Sequence, residues 1–337
     1  MCQNGYNMAI LLNNMGYGNA PWHQMLSELL PDDRIVLPDD DFSPTDIEFA
    51  LVWDHPHGDL VRYPNLQAIM LLGAGTEHID QEVSLPMVPI VRLVDPAVVM
   101  DMARYALYWV LHFQRQFDVY SQQERAAHWE RHDATMPKHF PVTVLGLGQI
   151  GGKVAQHIAL SGFCVKGWDA EPKQIEGVCS LAGAERLEEA LAHAEIVVNC
   201  LPLNPSTHHL LDDNTLGFLP NGARVVSISR GAVIDETALV DALDSDRLSA
   251  AVLDAHQTEP LPSSSPLWQH PKVTVTPHIS GATLASSAAK VVVENINRTR
   301  KGELPQPLHL PPCHKNHVAT KTLSGRESVI PLDNRDG

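Results

Sequence analysis

VTVLGLGQIGG, residues 142–152, passes from an apolar run into three glycines, Gly146, Gly148 and Gly151. A glycine triplet at these offsets also occurs in turns that bind nothing, so its surroundings decide the reading. The run before it has the continuous apolar character of a buried strand, and QIGGKVAQHIAL (149–160) opens a helix from Gln149 and Ile150 onward. Asp169 ends the next strand-like run, close to the roughly 20-residue spacing expected of a dinucleotide site. In such a unit Gly146 allows the tight turn, Gly148 lets a pyrophosphate reach the backbone, and Gly151 lets helix and strand pack closely. The helix start then supplies unpaired N–H groups and a partial positive charge. Asp169 would accept from ribose hydroxyls and repel a 2′-phosphate, and Glu171 adds to that repulsion, with Lys173 as the opposing charge. The expectation is NAD(H) in preference to NADP(H).

Working outward, the chain alternates strand-like and helix-like runs on both sides of this motif. Before it come MAILL (8–12), the amphipathic PWHQMLSELL (21–30), RIVL (34–37), FALVW (49–53), AIMLL (68–72) and PIVRL (89–93). A helical periodicity then covers Met100 to about Phe117. After the motif come FCVKGW (163–168), EIVVNC (195–200), ARVVSIS (223–229), SAAVLD (249–254) and KVTVTP (272–277), and a second long helix from 282 to about 301. Alternation of this kind predicts an α/β protein with parallel sheets, and six strand-like runs from Val142 onward suit a doubly wound sheet.

The 337 residues leave room for about two domains. A hydrophobic content of 44% with 19% charged residues suits a soluble globular protein. No apolar run reaches the roughly 18 residues of a spanning helix, and the N-terminus lacks the basic and small-residue pattern of a secretory signal. The five cysteines form no CxxC pair. Together these point to a cytoplasmic protein with reduced thiols. A formal charge of −16 disfavours nucleic acid and anionic membrane as partners, so an anionic ligand must be held by local positive groups.

Three later segments put polar residues just past apolar runs: Arg230 in VVSISRGAVID (225–235), Asp254 and Glu259 in AAVLDAHQTEPLP (251–262), and His278 in VTVTPHISGAT (273–283). Ligands of open α/β sheets collect at the carboxyl ends of strands, so these positions converge on one crevice. Arginine, glutamate and histidine together suit 2-oxo acid chemistry. The arginine grips a carboxylate through two parallel N–H bonds, the histidine exchanges a proton with the carbinol oxygen, and the glutamate favours the charged histidine.

Through these motifs the chain resembles the D-isomer-specific 2-hydroxyacid dehydrogenase family from about residue 45 to about 300. ALVWDHP (50–56), LLGAGTEHID (71–80), AAHW (126–129) and SPLWQHPKVTVTPHIS (265–280) resemble most its glyoxylate/hydroxypyruvate reductase branch. The resemblance implies Arg230, Glu259 and His278 as the catalytic set, Asp254 on the nicotinamide carboxamide, and Pro202, Thr207 and Ser229 lining the cofactor. It implies that the Ala74 and Gly75 N–H groups join Arg230 and His278 in receiving the substrate, with Trp53 near the pocket. It also implies two domains: a Rossmann nucleotide-binding domain (101–287) inserted into a flavodoxin-like substrate domain (1–100 and 288–312), followed by a tail (313–337) that matches nothing. The implied activity is NADH-dependent reduction of a small 2-oxo acid to the D-2-hydroxy acid, by a homodimer joined through the nucleotide domain. Arg104 stands where relatives often carry an acidic residue.

Plainer readings exist for each residue. Arg230 could be a surface ion-pair residue, His278 an ordinary loop histidine, and Glu259 before a proline part of a turn. All would have to hold at once beside the nucleotide motif. HLPPCHKNH (309–317) fits no standard zinc spacing, so no metal is expected. The adjacent His208 and His209 read as loop residues pointing different ways. The alternative function on the same fold is an NAD(H)-sensing, corepressor-like binding protein.

Overall fold

The computed structural model describes residues 8–15 and 18–314. Cys2, His317 and all of the expected tail except Cys313 and His314 lie outside the described residues. The strands in chain order are β1 (Ala9–Asn14), β2 (Arg34–Val36), β3 (Ile47–Trp53), β4 (Ala68–Leu71), β5 (Ile90–Val91), β6 (Val142–Leu145), β7 (Val165–Asp169), β8 (Val178–Ala182), β9 (Ile196–Asn199), β10 (Ala223–Ser227), β11 (Leu248–Leu253), β12 (Val273–Val275) and β13 (Leu308–His309). Two compact units contain them: one runs to Val98 and resumes at Thr283, and the other spans Val99–Ala282.

The Val99–Ala282 unit holds a sheet in the order β12-β11-β10-β9-β6-β7-β8, parallel throughout. The chain builds outward from β6 to β8, then crosses to start again at β9, which is the doubly wound arrangement with its switch point between β6 and β9. Successive residues of one strand feed opposite layers. Val197, Val225 and Ala251 pack into one core cluster, while Val198, Val226 and Val252 pack into the other. This two-residue period, with both faces covered, is why these strands read as unbroken apolar runs. Each of these buried valines contributes roughly 1.5–3 kcal/mol. The polar Thr143 is accommodated because its hydroxyl donates to Ala190 O at 2.7 Å.

The other unit follows the same logic in the order β13-β5-β4-β3-β1-β2. Ile10, Phe49 and Met70 face one core, and Leu11, Ala50 and Leu71 face the other. Among its described strands only β13 is antiparallel, paired with β5.

Sequence patterning overlooks β8 and β13. VCSLA at the sheet edge buries only Leu181 fully, so it lacks an apolar run, and β13 has two residues. The helix expected from Met100 instead spans Pro96–Gln114. Asp95 Oδ1 accepts from Ala97 N at 2.9 Å, and proline suits the first helical position. Gln116, in the left-handed region, separates it from a second helix, Phe117–Arg125. Among the described residues no helix is long and apolar enough to cross a membrane.

At the end of β3 the Trp53 ring lies where a Cβ on residue 73 would come within 2.3 Å of it, so only Gly73 fits beneath. The ring also packs on His78, centroids 4.6 Å apart. His55 meets His78 edge-on and places Nε2 3.1 Å from Glu82 Oε1. Burial holds both histidines toward the neutral form, His78 down to about 4 and His55 below its ordinary value. In the unfolded chain each takes up a proton below about pH 6.5. The unfolded state therefore binds more protons between about pH 6.5 and 4, and stability falls as the pH drops through that window. Urea unfolding midpoints measured from pH 7 to 4 should show this decline, and His78→Leu should make it shallower. A decline of unchanged steepness in the variant would remove His78 as a source.

Candidate active site

One row of residues sets the height of the candidate site. Leu145, Asn199, Ser227, Leu253 and Val275 are mutual partners across β6, β9, β10, β11 and β12. The chain leaves this row at Gly146, Cys200, Ile228, Asp254 and Thr276, so every candidate residue of this unit follows a strand end on one edge. Neighbouring strands lie about 4.8 Å apart, so β6 and β11 are separated by roughly 15 Å, a span for an extended ligand.

The glycine turn occupies the switch point. Gly146 has φ 84° and lies so close to Cys200 that a Cβ would sit 2.9 Å from its carbonyl oxygen. A Cβ on residue 151 would lie 1.8 Å from Gly146 O, inside backbone that cannot yield. Gly148, by contrast, has nothing within 4 Å of that position and faces open space. The helix Gln149–Leu160 buries Gly151, Val154, Ala155 and Ile158 along one stripe and starts without a side-chain cap or first-turn acid. Its first N–H groups therefore lack intrahelical acceptors. Asp169 Oδ2 accepts from Leu147 N at 2.7 Å and Oδ1 from Glu171 N at 3.2 Å. A carboxylate has about four acceptor sites, which leaves two for hydroxyls. A cavity of about 410 Å³ adjoins the turn, lined by Gly148, Gln149, Lys153, Lys173 and Ile175 among others. An open cradle, an uncapped helix start and a carboxylate beside them fit a dinucleotide.

Beyond β9 the hydroxyls of two predicted cofactor residues hold the loop itself. Thr207 Oγ1 donates to Pro202 O at 2.6 Å and accepts from Asn204 N at 2.9 Å. Ser229 Oγ donates to Leu201 O. His208 and His209 correct the sequence reading: their rings stack with centroids 4.0 Å apart, because His209 has φ 51° and turns its side chain back onto its neighbour.

At the ends of β10, β11 and β12 the catalytic candidates gather. Glu259 Oε2 accepts from His278 Nδ1 at 2.8 Å, and its Oε1 accepts from His256 N at 2.9 Å. The glutamate is thus more than part of a turn. Arg230 Nη1 donates to Ser229 O at 3.1 Å. The following Gly231 brings the arginine turn against this loop, since a Cβ there would be 1.9 Å from the His256 carbonyl carbon. Asp254, 1% exposed, accepts from Ile279 N and Thr276 Oγ1 at Oδ1 (2.9 and 2.6 Å) and from Ser280 N at Oδ2 (2.8 Å). One of its acceptor sites remains for an external N–H. Gly231 and Thr276 escape sequence reasoning because their signal is a contact across strands, with no spacing to announce it. In the other unit Trp53 ends β3, and Ala74 and Gly75 follow β4, with Ala74 O accepting from Arg92 Nη2 at 3.4 Å. Among the described residues no group of three or more histidine, cysteine or acidic side chains is placed to hold a metal.

Comparison with known proteins agrees with this architecture. The profile of the D-isomer specific 2-hydroxyacid dehydrogenase NAD binding domain matches residues 107–280. Glyoxylate/hydroxypyruvate reductase A of Serratia proteamaculans (strain 568) is 37% identical over 306 residues, 88% of this chain and 97% of that protein. A D-isomer specific 2-hydroxyacid dehydrogenase of Xanthobacter autotrophicus Py2, solved with NADPH and MES, is 36% identical with a TM-score of 0.87, covering 90% of this chain and 98% of that one. An NADPH-dependent glyoxylate/hydroxypyruvate reductase of Sinorhizobium meliloti, solved with NADP and sulfate, is 25% identical with a TM-score of 0.84 over 90% and 98%. These relatives are reductases and dehydrogenases, so the corepressor-like alternative gains no support from them.

Proposed function

The chain belongs to the D-isomer specific 2-hydroxyacid dehydrogenase family, and on that premise we propose that it reduces a small 2-oxo acid of the glyoxylate or hydroxypyruvate class to the D-2-hydroxy acid. The observation that carries this reading is the 2.8 Å bond between His278 Nδ1 and Glu259 Oε2 at the carboxyl edge of the sheet. A carboxylate only accepts, so Nδ1 carries the hydrogen and Nε2 is the ring atom that exchanges a proton with the substrate oxygen. Glu259 is itself oriented by His256 N, which keeps the imidazole from swinging. Arg230 grips the substrate carboxylate with its planar fork, a geometry matched to two oxygens. The N–H groups of Ala74 and Gly75 and the Trp53 ring are assigned to the substrate on family resemblance.

A bound reduced nicotinamide supplies the hydride. Gly146, Gly148 and Gly151 with the uncapped helix start would hold the pyrophosphate, and Gln149 and Ile150 supply N–H groups of that first turn. Pro202, Thr207 and Ser229 would line the path from the turn toward Asp254, whose remaining acceptor site would take the carboxamide.

The preferred cofactor in this proposal is NADH, although the two solved structures named above hold NADPH and NADP. Support comes from Asp169, whose carboxylate bonds the glycine turn itself, and from Glu171 two residues on. A 2′-phosphate there would meet negative charge at close range. Lys153 and Lys173 line the same cavity and oppose this effect.

A homodimer is part of the proposal. Tyr108, Leu111, Phe117, Trp129 and Met136 are exposed large apolar side chains on the two helices after Pro96 and the segment that follows, Trp129 at 99%. Side-chain bonds from Gln114 to Thr135 O and from Gln116 to Asp133 O tie that segment back to the helices, so the patch has a defined shape for a second copy to cover.

NADH oxidation followed by absorbance with a panel of 2-oxo acids should show turnover of glyoxylate or hydroxypyruvate. His278→Ala should lower kcat by about 10²–10⁴ while NADH binding survives; unchanged turnover would take His278 out of the mechanism. In the same assay kcat/KM should be higher with NADH than with NADPH, and Asp169→Ala should narrow the difference. A parent enzyme that prefers NADPH would refute the assignment to Asp169. Light scattering should give twice the mass of one chain, falling toward one chain in Trp129→Glu, whereas a monomeric parent would exclude the dimer.

A further inference from the structure

Tyr105, on the helix Pro96–Gln114, takes no part in the scheme above, yet it is joined to the catalytic turn. Its hydroxyl oxygen lies 2.7 Å from Thr276 Oγ1, which lies 2.6 Å from Asp254 Oδ1. The charge at the end of this chain fixes the direction of both hydrogens. An ionised carboxylate accepts only, so Thr276 donates to Asp254, and its oxygen is left to accept from Tyr105. Burial pushes the tyrosine hydroxyl up from its ordinary value, so the donor keeps its proton at working pH. Hydrogen bonds aligned in this way polarise and strengthen one another.

His278 gives this chain its importance. The residue has φ 53°, a left-handed conformation that is unfavourable for a non-glycine residue and persists only where its surroundings impose it. Here the imposing group is Asp254. Its carbonyl accepts from His278 N at 2.9 Å, and its carboxylate accepts from Ile279 N and Ser280 N. The turn 276–280 therefore hangs on one buried carboxylate that neutral hydroxyls and amides hold in place. Removing a donor from a buried carboxylate loosens what depends on it.

We propose that Tyr105 and Thr276 are positioning residues for the reaction, a two-hydroxyl chain that anchors Asp254 to the helix Pro96–Gln114 and so holds His278 against Glu259. The inference rests on the reductase reading for its catalytic consequence, but not for its structural one. Tyr105→Phe removes only the hydroxyl and keeps the ring packed on Trp109, whose centroid is 6.3 Å away. Thr276→Val removes the other hydroxyl at nearly constant shape.

Steady-state kinetics and hydrogen exchange on the full-length parent, Tyr105→Phe, Thr276→Val, the double variant and Thr276→Ser separate the possibilities. Tyr105→Phe should lower kcat about tenfold, the scale of one hydrogen bond, and weaken NADH binding by a smaller factor, since Asp254 supplies only one of several cofactor contacts. Thr276→Val should lower it at least as much, Thr276→Ser should recover most of the loss, and the double variant should be no worse than Thr276→Val, since both act through one chain. Amide exchange of the peptide covering residues 276–280 should speed up in Tyr105→Phe and Thr276→Val. Additive losses, an unchanged kcat in Tyr105→Phe, or a matching loss of NADH affinity would overturn the proposal. A parent silent toward every 2-oxo acid would refute the reductase reading alone, and the exchange rates would then decide the anchor: faster exchange in Tyr105→Phe upholds it and unchanged exchange overturns it.

Discussion

Five parallel strands that end on one level underlie everything else in the Val99–Ala282 unit. Because Leu145, Asn199, Ser227, Leu253 and Val275 stand in register, each chain exit falls on the same edge, and residues far apart in sequence become neighbours at fixed intervals. Parallel strands impose this, since every return must cross the sheet before the next strand can begin. Register in turn is held by burial on both faces. A slip of one residue would exchange the two core layers along the whole strand, moving Val198 and Val226 to the side that Val197 and Val225 now fill.

On this level edge the protein handles charge locally. Its formal charge is −16, yet the glycine turn offers an uncapped helix start, an open approach over Gly148, and no acid in the first helical turn. The field of the whole molecule governs encounter, but a bound anion responds to the dipoles within a few ångströms of it. Asp169 does not defeat that arrangement, because the Leu147 and Glu171 N–H groups draw it to the side of the turn. Asp254 is the second local device. Buried, it gathers a hydroxyl, two amides and the backbone N–H of a histidine into one turn, and that turn aims His278 at Glu259.

Most strands could be read directly from the chain because buried parallel strands need continuous apolar runs, and VTVL, IVVN and ARVVS supply them. The readings fail where burial is partial. β8 has one side chain wholly inside, and β13 is a two-residue edge. The helix beginning at Pro96 starts earlier than its apolar periodicity suggests because a cap, Asp95, sets the boundary rather than the stripe. His208 and His209 were separable on an ordinary backbone, and a single left-handed residue brings their rings together.

The linear chain by itself determined the glycine turn, the strand-ending carboxylate at Asp169, and the family to which the whole belongs. Each is a local pattern: a steric need for a missing Cβ, or a residue type at a strand end, which a short window contains in full. Only the tertiary structure decided that Glu259 and His278 share a hydrogen, that Gly231 must be bare because the His256 peptide fills its Cβ position, and that Tyr105 reaches Thr276 across 171 residues of sequence. Those facts depend on which strands lie side by side and at what register, and no window along the chain holds both partners. Hydrogen bonds act over about 3 Å, so their partners exist for one another only once the sheet has set the distance.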